Sequence, residues 1–233
     1  MCMFDDPYGR FDYSGGYMVE PEAWASAVCP VGGVAFDVGA HVGNYAFGFS
    51  DRVGLSGRVY AFEPGGYAYR ILMRNIKLFD RNNISGFRFA LSDYDGVGLL
   101  FCGRDGTDET FNGFVRGSCE GEPFFDLSVE EIEEGGFLRG HHYERVQVLR
   151  LDTFVNRFGV GRLDILKVDV EGAELRVLAG ARESLKRFSP LLYVEVHYGQ
   201  DVLGAVSDLG YRVKEEFKLV QGTTNPIVVL EKE

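Results

Sequence analysis

No apolar run in this 233-residue chain approaches the roughly 20 residues a membrane-spanning helix needs. Basic charge is also short: 24 Lys and Arg stand against 35 Asp and Glu, a net charge of -11. That balance argues against a nucleic-acid partner, because a phosphate-binding groove wants a basic face. It leaves neutral or cationic small molecules open. Cysteine is sparse and scattered at Cys2, Cys29, Cys102 and Cys119, with no Cys-x-x-Cys pair. Neither a zinc site nor a disulfide framework follows, and free thiols in a reducing compartment are expected. The opening MCMFDDPYGRFDYSGG is acidic and lacks the basic start and apolar stretch of a secretion signal, so a soluble, cytoplasmic protein is expected. Internal repeats and linker-like stretches are missing as well. Length and composition suit one α/β domain over residues 1–233.

What is present centres on residues 34–46, VAFDVGAHVGNYA. Val34, Ala35, Phe36 and Val38 read as a short buried parallel strand. Gly39, Ala40 and Gly43 then bring small residues to a strand-to-helix turn, and Asn44 and Tyr45 begin a helix whose free N–H groups face a ligand. Asp37 sits at the strand end, where open α/β sheets hold ligands. A second strand, RVYAFEP, ends in Glu63, at the separation at which an acid meets ribose hydroxyls in dinucleotide folds. The spacing Gly39-x-x-x-Gly43 is not the Gly-x-Gly-x-x-Gly that suits a pyrophosphate. A cofactor with ribose and no pyrophosphate fits better, and S-adenosylmethionine is the commonest of that kind.

Along the chain, residues 1–30 read as an N-terminal arm followed by a short helix at 21–28. A helix at 67–79 carries Ile71, Leu72, Ile76 and Phe79 on one face, and residues 84–93 form a third strand. Residues 95–145 are an irregular, Gly- and acid-rich insertion, with a hairpin at 97–102 and a helix signalled by Ser128-Val-Glu-Glu131. Such insertions shape acceptor pockets or merely decorate a surface, and a mobile acceptor-side lid is one expectation. Beyond it, Asp152 is expected to cap a helix at 153–158. LDILKVDV is a buried strand followed by Glu171 and Gly172, with Glu171 serving the next helix N-terminus. A single helix is expected over 173–188. PLLYVEVH is a strand ending in Glu195 and His197, residues 201–209 are read as a helix, and 211–217 with 226–231 form a closing hairpin. Strands alternating with helices make a doubly wound, mostly parallel sheet with an antiparallel C-terminal hairpin. Asp37, Glu63, Asp169 and Glu195 then fall on one rim of that sheet. Each alone reads as a helix cap; four together read as a site.

FDVGAHVGNYA, VYAFEP, LDTFV, DILKVDVEGAELRVLAGA and LLYVEVH together resemble the FkbM family of S-adenosylmethionine-dependent methyltransferases, as does the earlier YMVEPEAW. The likeness covers most of residues 17–231 except the insertion. It implies a class I, Rossmann-like methyltransferase fold and O-methylation of a hydroxyl on a small molecule, a sugar, glycan or polyketide-like product. By motif, Asp37, Gly39, Ala40, His41, Gly43, Asn44 and Tyr45 would form the turn under the methionine part of the cofactor. Glu63, followed by Pro64, would bind ribose; Ala90, Leu91 and Ser92 would lie beside adenine; Glu20 would close over the cofactor, and Asp169 would border it. The family often has Asn where this chain has His41, whose ring is read as an accommodated substitution. Asp169, Glu195 and His197 are the expected catalytic set, with His197 as base. No metal ligand is assigned, although Asp169 and Glu195 could share a divalent cation. Two readings from other classes stay open. One is a nicotinamide-dependent oxidoreductase, disfavoured by the glycine spacing and the missing Tyr-x-x-x-Lys. The other is a non-catalytic module that keeps the fold and only binds.

Overall fold

The computed structural model describes residues 25–101, 143–197, 199–217 and 225–232. Glu20, the helix expected near residue 128 and most of the expected lid lie outside these. Of the helix expected at 21–28, residues 25–28 are described and are helical.

A seven-stranded sheet runs in the order β3-β2-β1-β7-β8-β10-β9. Its members are β1 (Val34–Val38), β2 (Arg58–Phe62), β3 (Ile84–Phe87), β7 (Ile165–Val168), β8 (Leu191–Glu195), β9 (Tyr211–Phe217) and β10 (Ile227–Lys232). β3, β2, β1, β7 and β8 pair in parallel. β10 runs antiparallel to both β8 and β9. The closing hairpin is therefore present as expected, but it folds inward. β10 is the reversed strand, and the edge strand β9 again points along the parallel set.

Strand parity sets two cores. Phe36, Val38, Leu166, Val168, Leu192 and Val194 face the layer of α3 (Leu151–Phe158), α4 (Glu174–Ala179) and α5 (Arg182–Phe188). Ala35, Ala61, Ile165 and Tyr193 face the layer of α1 (Asn44–Val53) and α2 (Gly66–Leu78). This is the two-residue alternation of a strand read on a sheet covered on both sides. Phe154 of α3 packs edge-on against Phe36, Phe62 and Phe87, with ring centroids 5.7, 4.7 and 4.9 Å away, an arrangement that aromatic quadrupoles favour.

The structure departs from the sequence pattern at four places. The third strand divides into β3 and a two-residue β4 (Ala90–Leu91), which leaves the main sheet and pairs with β6 (Tyr143–Leu149). The expected hairpin strand is β5 (Gly96–Phe101), and its antiparallel partner is β6, on the far side of the insertion. The helix expected over 173–188 breaks into α4 and α5, because Gly180 passes under the Ser92 carbonyl so closely that a Cβ there would lie 1.9 Å from its oxygen. Residues 201–209 hold only a 3-10 turn, Ser207–Leu209. There Asp201 Oδ1 accepts the Gly204 N–H at 2.8 Å, a local bond of the type that competes with helix.

Candidate active site

Strand order reverses between β1 and β7, since β2 and β3 lie to one side and β8 to the other. Ligands bind at such switch points, beyond the carboxyl ends of the strands. Asp37 and Lys167 are register partners there, and Lys167 is in turn the partner of Tyr193 on β8. All three project toward the α1 layer. Lys167 is 2% exposed and Asp37 fully buried. The Lys167 ammonium lies 3.1 Å from Asp37 Oδ1 and 3.4 Å from Asp169 Oδ2. It also donates to the carbonyls of Gly39 (2.7 Å) and Val38 (3.3 Å) and sits 4.9 Å from the centroid of the Tyr45 ring. Tyr45 and Tyr193 share a hydroxyl hydrogen bond of 3.1 Å. Burial alone would discharge Lys167; Asp37 and Asp169 more than offset it and keep the ammonium protonated. Burial pushes Asp37 up, and Lys167 pulls it back. Sequence reading passed over Lys167. The signal was a lone charge inside the apolar strand ILKV, which is costly unless paired.

The turn between β1 and α1 is held by β2. The N–H groups of Gly39 and Ala40 both donate to the Phe62 carbonyl, at 3.0 and 2.9 Å. The His41 N–H donates to Glu63 Oε2 at 2.8 Å, while Glu63 Oε1 accepts the Gly65 N–H at 2.7 Å. Glu63 is 6% exposed. The glycines serve the chain's own packing. Gly39, at φ +77°, lets the backbone of Asp169 approach so closely that a Cβ would stand 1.7 Å from its carbonyl oxygen; at Gly43, φ +111°, a Cβ would press on Leu72 and Phe47. His41 has φ 49°, a left-handed conformation in which Asn, Asp and His are over-represented. His is thus among the residue types that this backbone conformation tolerates. Gly43 ends the turn as the N-cap of α1 and, lacking a side chain, supplies no capping group. Asn44 opens the helix there, an N-terminus of the kind that receives anionic groups. Pro64 follows Glu63, its carbonyl accepting from Arg88 Nε at 3.3 Å. Ala90, Leu91 and Ser92 are buried on the side sheet, where β4 meets β6.

On the other flank, the ends of β7 and β8 bring together the three residues expected to carry chemistry. A ligand atom from each of Asp169, Glu195 and His197 lies within 4.8 Å of the others. His197 is 4% exposed. Its Nδ1 is 3.0 Å from Glu174 Oε1, and its Nε2 is 3.2 Å from Glu171 Oε2 and 3.8 Å from Glu195 Oε1. Burial of the ring favours its neutral form, but the hydrogen bonds to Glu171 and Glu174 outweigh that and hold its pKa at about 11. Burial, helped by neighbouring Asp169, lifts Glu195 to about 7. Glu174 is fully buried and accepts the backbone N–H groups of Val170 (3.3 Å) and Gly172 (3.0 Å). The role expected of Glu171, serving the turn before α4, thus falls to Glu174. Glu171 itself has φ 53° and turns its carboxylate to the imidazole. Asp152, expected to cap its own helix, lies in the first turn of α3 and instead caps α5, taking the N–H groups of Glu183 (3.0 Å) and Ser184 (2.7 Å).

A sheet of this order, with one reversed strand next to the edge and its acids gathered at the switch point, is the class I methyltransferase fold. The profile of the methyltransferase FkbM domain matches residues 37–213, and the chain belongs to that family. It is 27% identical over 190 residues to the AMB antimetabolite synthetase AmbE of Pseudomonas aeruginosa, a match covering 75% of this chain and 9% of the synthetase. It is 28% identical over 198 residues to the 31-O-demethyl-FK506 methyltransferase FkbM of Streptomyces tacrolimicus, covering 76% of this chain and 69% of that enzyme. The crystal structure of methyltransferase FkbM from Methylobacillus flagellatus KT superposes with a TM-score of 0.56 at 14% identity, over 93% of this chain and 45% of that one. Among the described residues, no helix is long and apolar enough to cross a membrane.

Proposed function

We propose that the protein transfers the methyl group of S-adenosylmethionine to a hydroxyl oxygen of a small molecule, such as a sugar, a glycan or a polyketide-like product. The carrying observation is the convergence of Asp37, Asp169 and Glu195 on the β1/β7 switch point, with Glu63 on the adjoining turn, in a chain of the FkbM family. The relative from Streptomyces is named for methylation at an oxygen, which supports the choice of acceptor atom.

The residues present fit the cofactor. Glu63 is buried and anchored by two backbone N–H groups, and a carboxylate has acceptor capacity left for ribose hydroxyls. The turn from Asp37 to Tyr45 and the start of α1 would take the methionine part. Pro64 would border the ribose, and Ala90, Leu91 and Ser92 the adenine. S-adenosylmethionine supplies an electrophilic methyl on a sulfonium and leaves as the neutral thioether.

The remaining work falls to the chain's own groups. Displacement at carbon is in line, so the crevice must hold the acceptor oxygen on one axis with the reacting carbon. That oxygen would form the new bond to carbon as the bond to sulfur breaks with its electron pair staying on sulfur, and the chain would have to take up the hydroxyl proton. His197 has a carboxylate at each ring nitrogen, which leaves no lone pair turned to the acceptor. The proton therefore goes to a partly exposed carboxylate of the rim formed by Asp169, Glu171 and Glu195, and His197 positions that rim. Acidic surroundings favour a neutral or cationic acceptor over an anionic one.

Calorimetric titration with S-adenosylmethionine and with NAD, followed by a labelled-methyl assay over sugars, glycans, polyketide alcohols and an RNA control, tests this reading. Binding of the sulfonium cofactor and label in an alcohol are expected. Binding of NAD instead would establish an oxidoreductase, binding without turnover on any acceptor a non-catalytic module, and label in RNA a different acceptor class.

A further inference from the structure

We propose that Asp169, Glu195 and His197 bind one divalent cation of the Mn2+ or Mg2+ kind at the acceptor end of the crevice. The purpose of such an ion rests on the methyltransferase reading above; its binding does not.

Three observations carry this. The first is geometry. One donor atom from each residue lies within 4.8 Å of the other two, so a single ion could approach all three at about 2.0–2.6 Å after a small inward movement of the side chains. Asp169 and Glu195 are at the ends of adjacent parallel strands, with His197 two residues beyond Glu195, so the donors start from rigid supports.

The second is the setting of the imidazole. The fully buried Glu174 holds Nδ1 at 3.0 Å and is itself fixed by the backbone of Val170 and Gly172. A carboxylate behind one ring nitrogen, with the other turned to a group of oxygens, is how metal-binding histidines are oriented. The Nε2 atom here faces Glu171 and Glu195, at 3.2 and 3.8 Å. A cation bound there would meet Nε2 and carboxylate oxygens that already converge on one point.

The third is charge. Asp37, Asp169, Glu171, Glu174 and Glu195 surround two cationic side chains, Lys167 and His197. Lys167 is directed at Asp37 and two carbonyls and reaches Asp169 Oδ2 at 3.4 Å, which leaves the carboxylates of Glu171, Glu174 and Glu195 to the side of His197. Glu174 Oε2 is buried with no hydrogen-bond donor among the described residues. A crevice with this surplus of carboxylates, its rim half-buried and its floor closed by Asp37 and Glu174, favours a cation. One imidazole with carboxylate oxygens suits Mn2+, with Mg2+ as the harder alternative.

The test is titration of the full chain, freed of metal with EDTA, with Mn2+, read by calorimetry and by the loss of the free Mn2+ spin-resonance signal. One bound ion per chain is expected. His197→Ala and Glu195→Gln should each weaken it at least tenfold, Glu174→Gln should weaken it through the ring it positions, and Glu216→Gln on the exposed edge strand should leave it unchanged. Circular dichroism on each variant confirms that it is folded, and Asp169→Asn stands in for any that is not. Absence of saturable Mn2+ binding in the unaltered chain, or full affinity in folded variants, overturns the proposal. The same samples are titrated with S-adenosylhomocysteine. Binding of the nucleoside with no Mn2+ site would sink the cation alone. A Mn2+ site with no nucleoside binding would sink the methyltransferase reading and leave the cation standing.

Discussion

Asp37 and Lys167 stand opposite each other on neighbouring parallel strands, carboxylate and ammonium 3.1 Å apart and both shut off from water. Through the Gly39 carbonyl, the same ammonium also grips the turn that carries the proposed cofactor site. Removing one partner of such a pair leaves a buried charge uncompensated. Lys167→Met should therefore lower stability by about 3–5 kcal/mol in a urea titration. Adding Asp37→Asn should return part of that loss. If the losses of the two single variants simply add in the double variant, the two residues do not act as a pair.

Glu63 ties the turn to β2 through His41 and Gly65. Glu63→Ala should weaken S-adenosylmethionine binding by about 1.5–3 kcal/mol, the worth of a hydrogen bond to a charged group. Calorimetry with methionine, which lacks the ribose, as a reference separates the ribose contact from loosening of the turn. Equal affinity for the whole cofactor in the variant and the parent would remove Glu63 from the site.

Asp169 is partly exposed and leans on Lys167 at 3.4 Å. Asp169→Asn should cut turnover by roughly 10²-fold while cofactor affinity changes little. Steady-state rates beside a binding isotherm would show it. Full activity in this variant would move the chemistry elsewhere.

Asp152 caps α5 across the domain, accepting two backbone N–H groups and the Ser184 hydroxyl at 2.6 Å. Asp152→Ala should cost about 0.5–2 kcal/mol of stability, read by thermal or denaturant unfolding, with turnover per folded molecule unchanged. Asp152→Asn should keep most of the stability.

Cys29 is buried, and burial pushes its thiol from an ordinary 9.0 up to about 12. The fold thus favours the neutral thiol. Its contribution is complete below pH 9.0, where the unfolded thiol is also neutral, and falls away as pH rises toward about 12. Cys29→Ala should flatten the loss of stability between those limits. An unchanged pH profile would place that loss on other groups.

What the sequence by itself determined is whatever a local pattern can report. Apolar runs such as VAFDV and ILKV marked buried parallel strands, because burial on both faces leaves a run with little alternation. The acids of Asp37, Glu63, Asp169 and Glu195 marked the strand ends, and the motif blocks around them led to the FkbM family, whose profile does match. What tertiary structure alone decided is pairing between distant segments. Lys167 looks like an oddity in its strand until Asp37 is placed beside it. Residues 173–188 have helical spacing throughout, yet the close pass of Ser92 over Gly180 divides them. Asp152 has the right residue type to cap its own helix, but the free N–H groups within its reach belong to α5. His197 reads as a base in isolation; Glu171 and Glu174, brought round by a left-handed turn, give both its nitrogens a carboxylate. Periodicity is written along the chain, whereas the partner of a buried charge or an open helix end is set by which backbones the fold brings together.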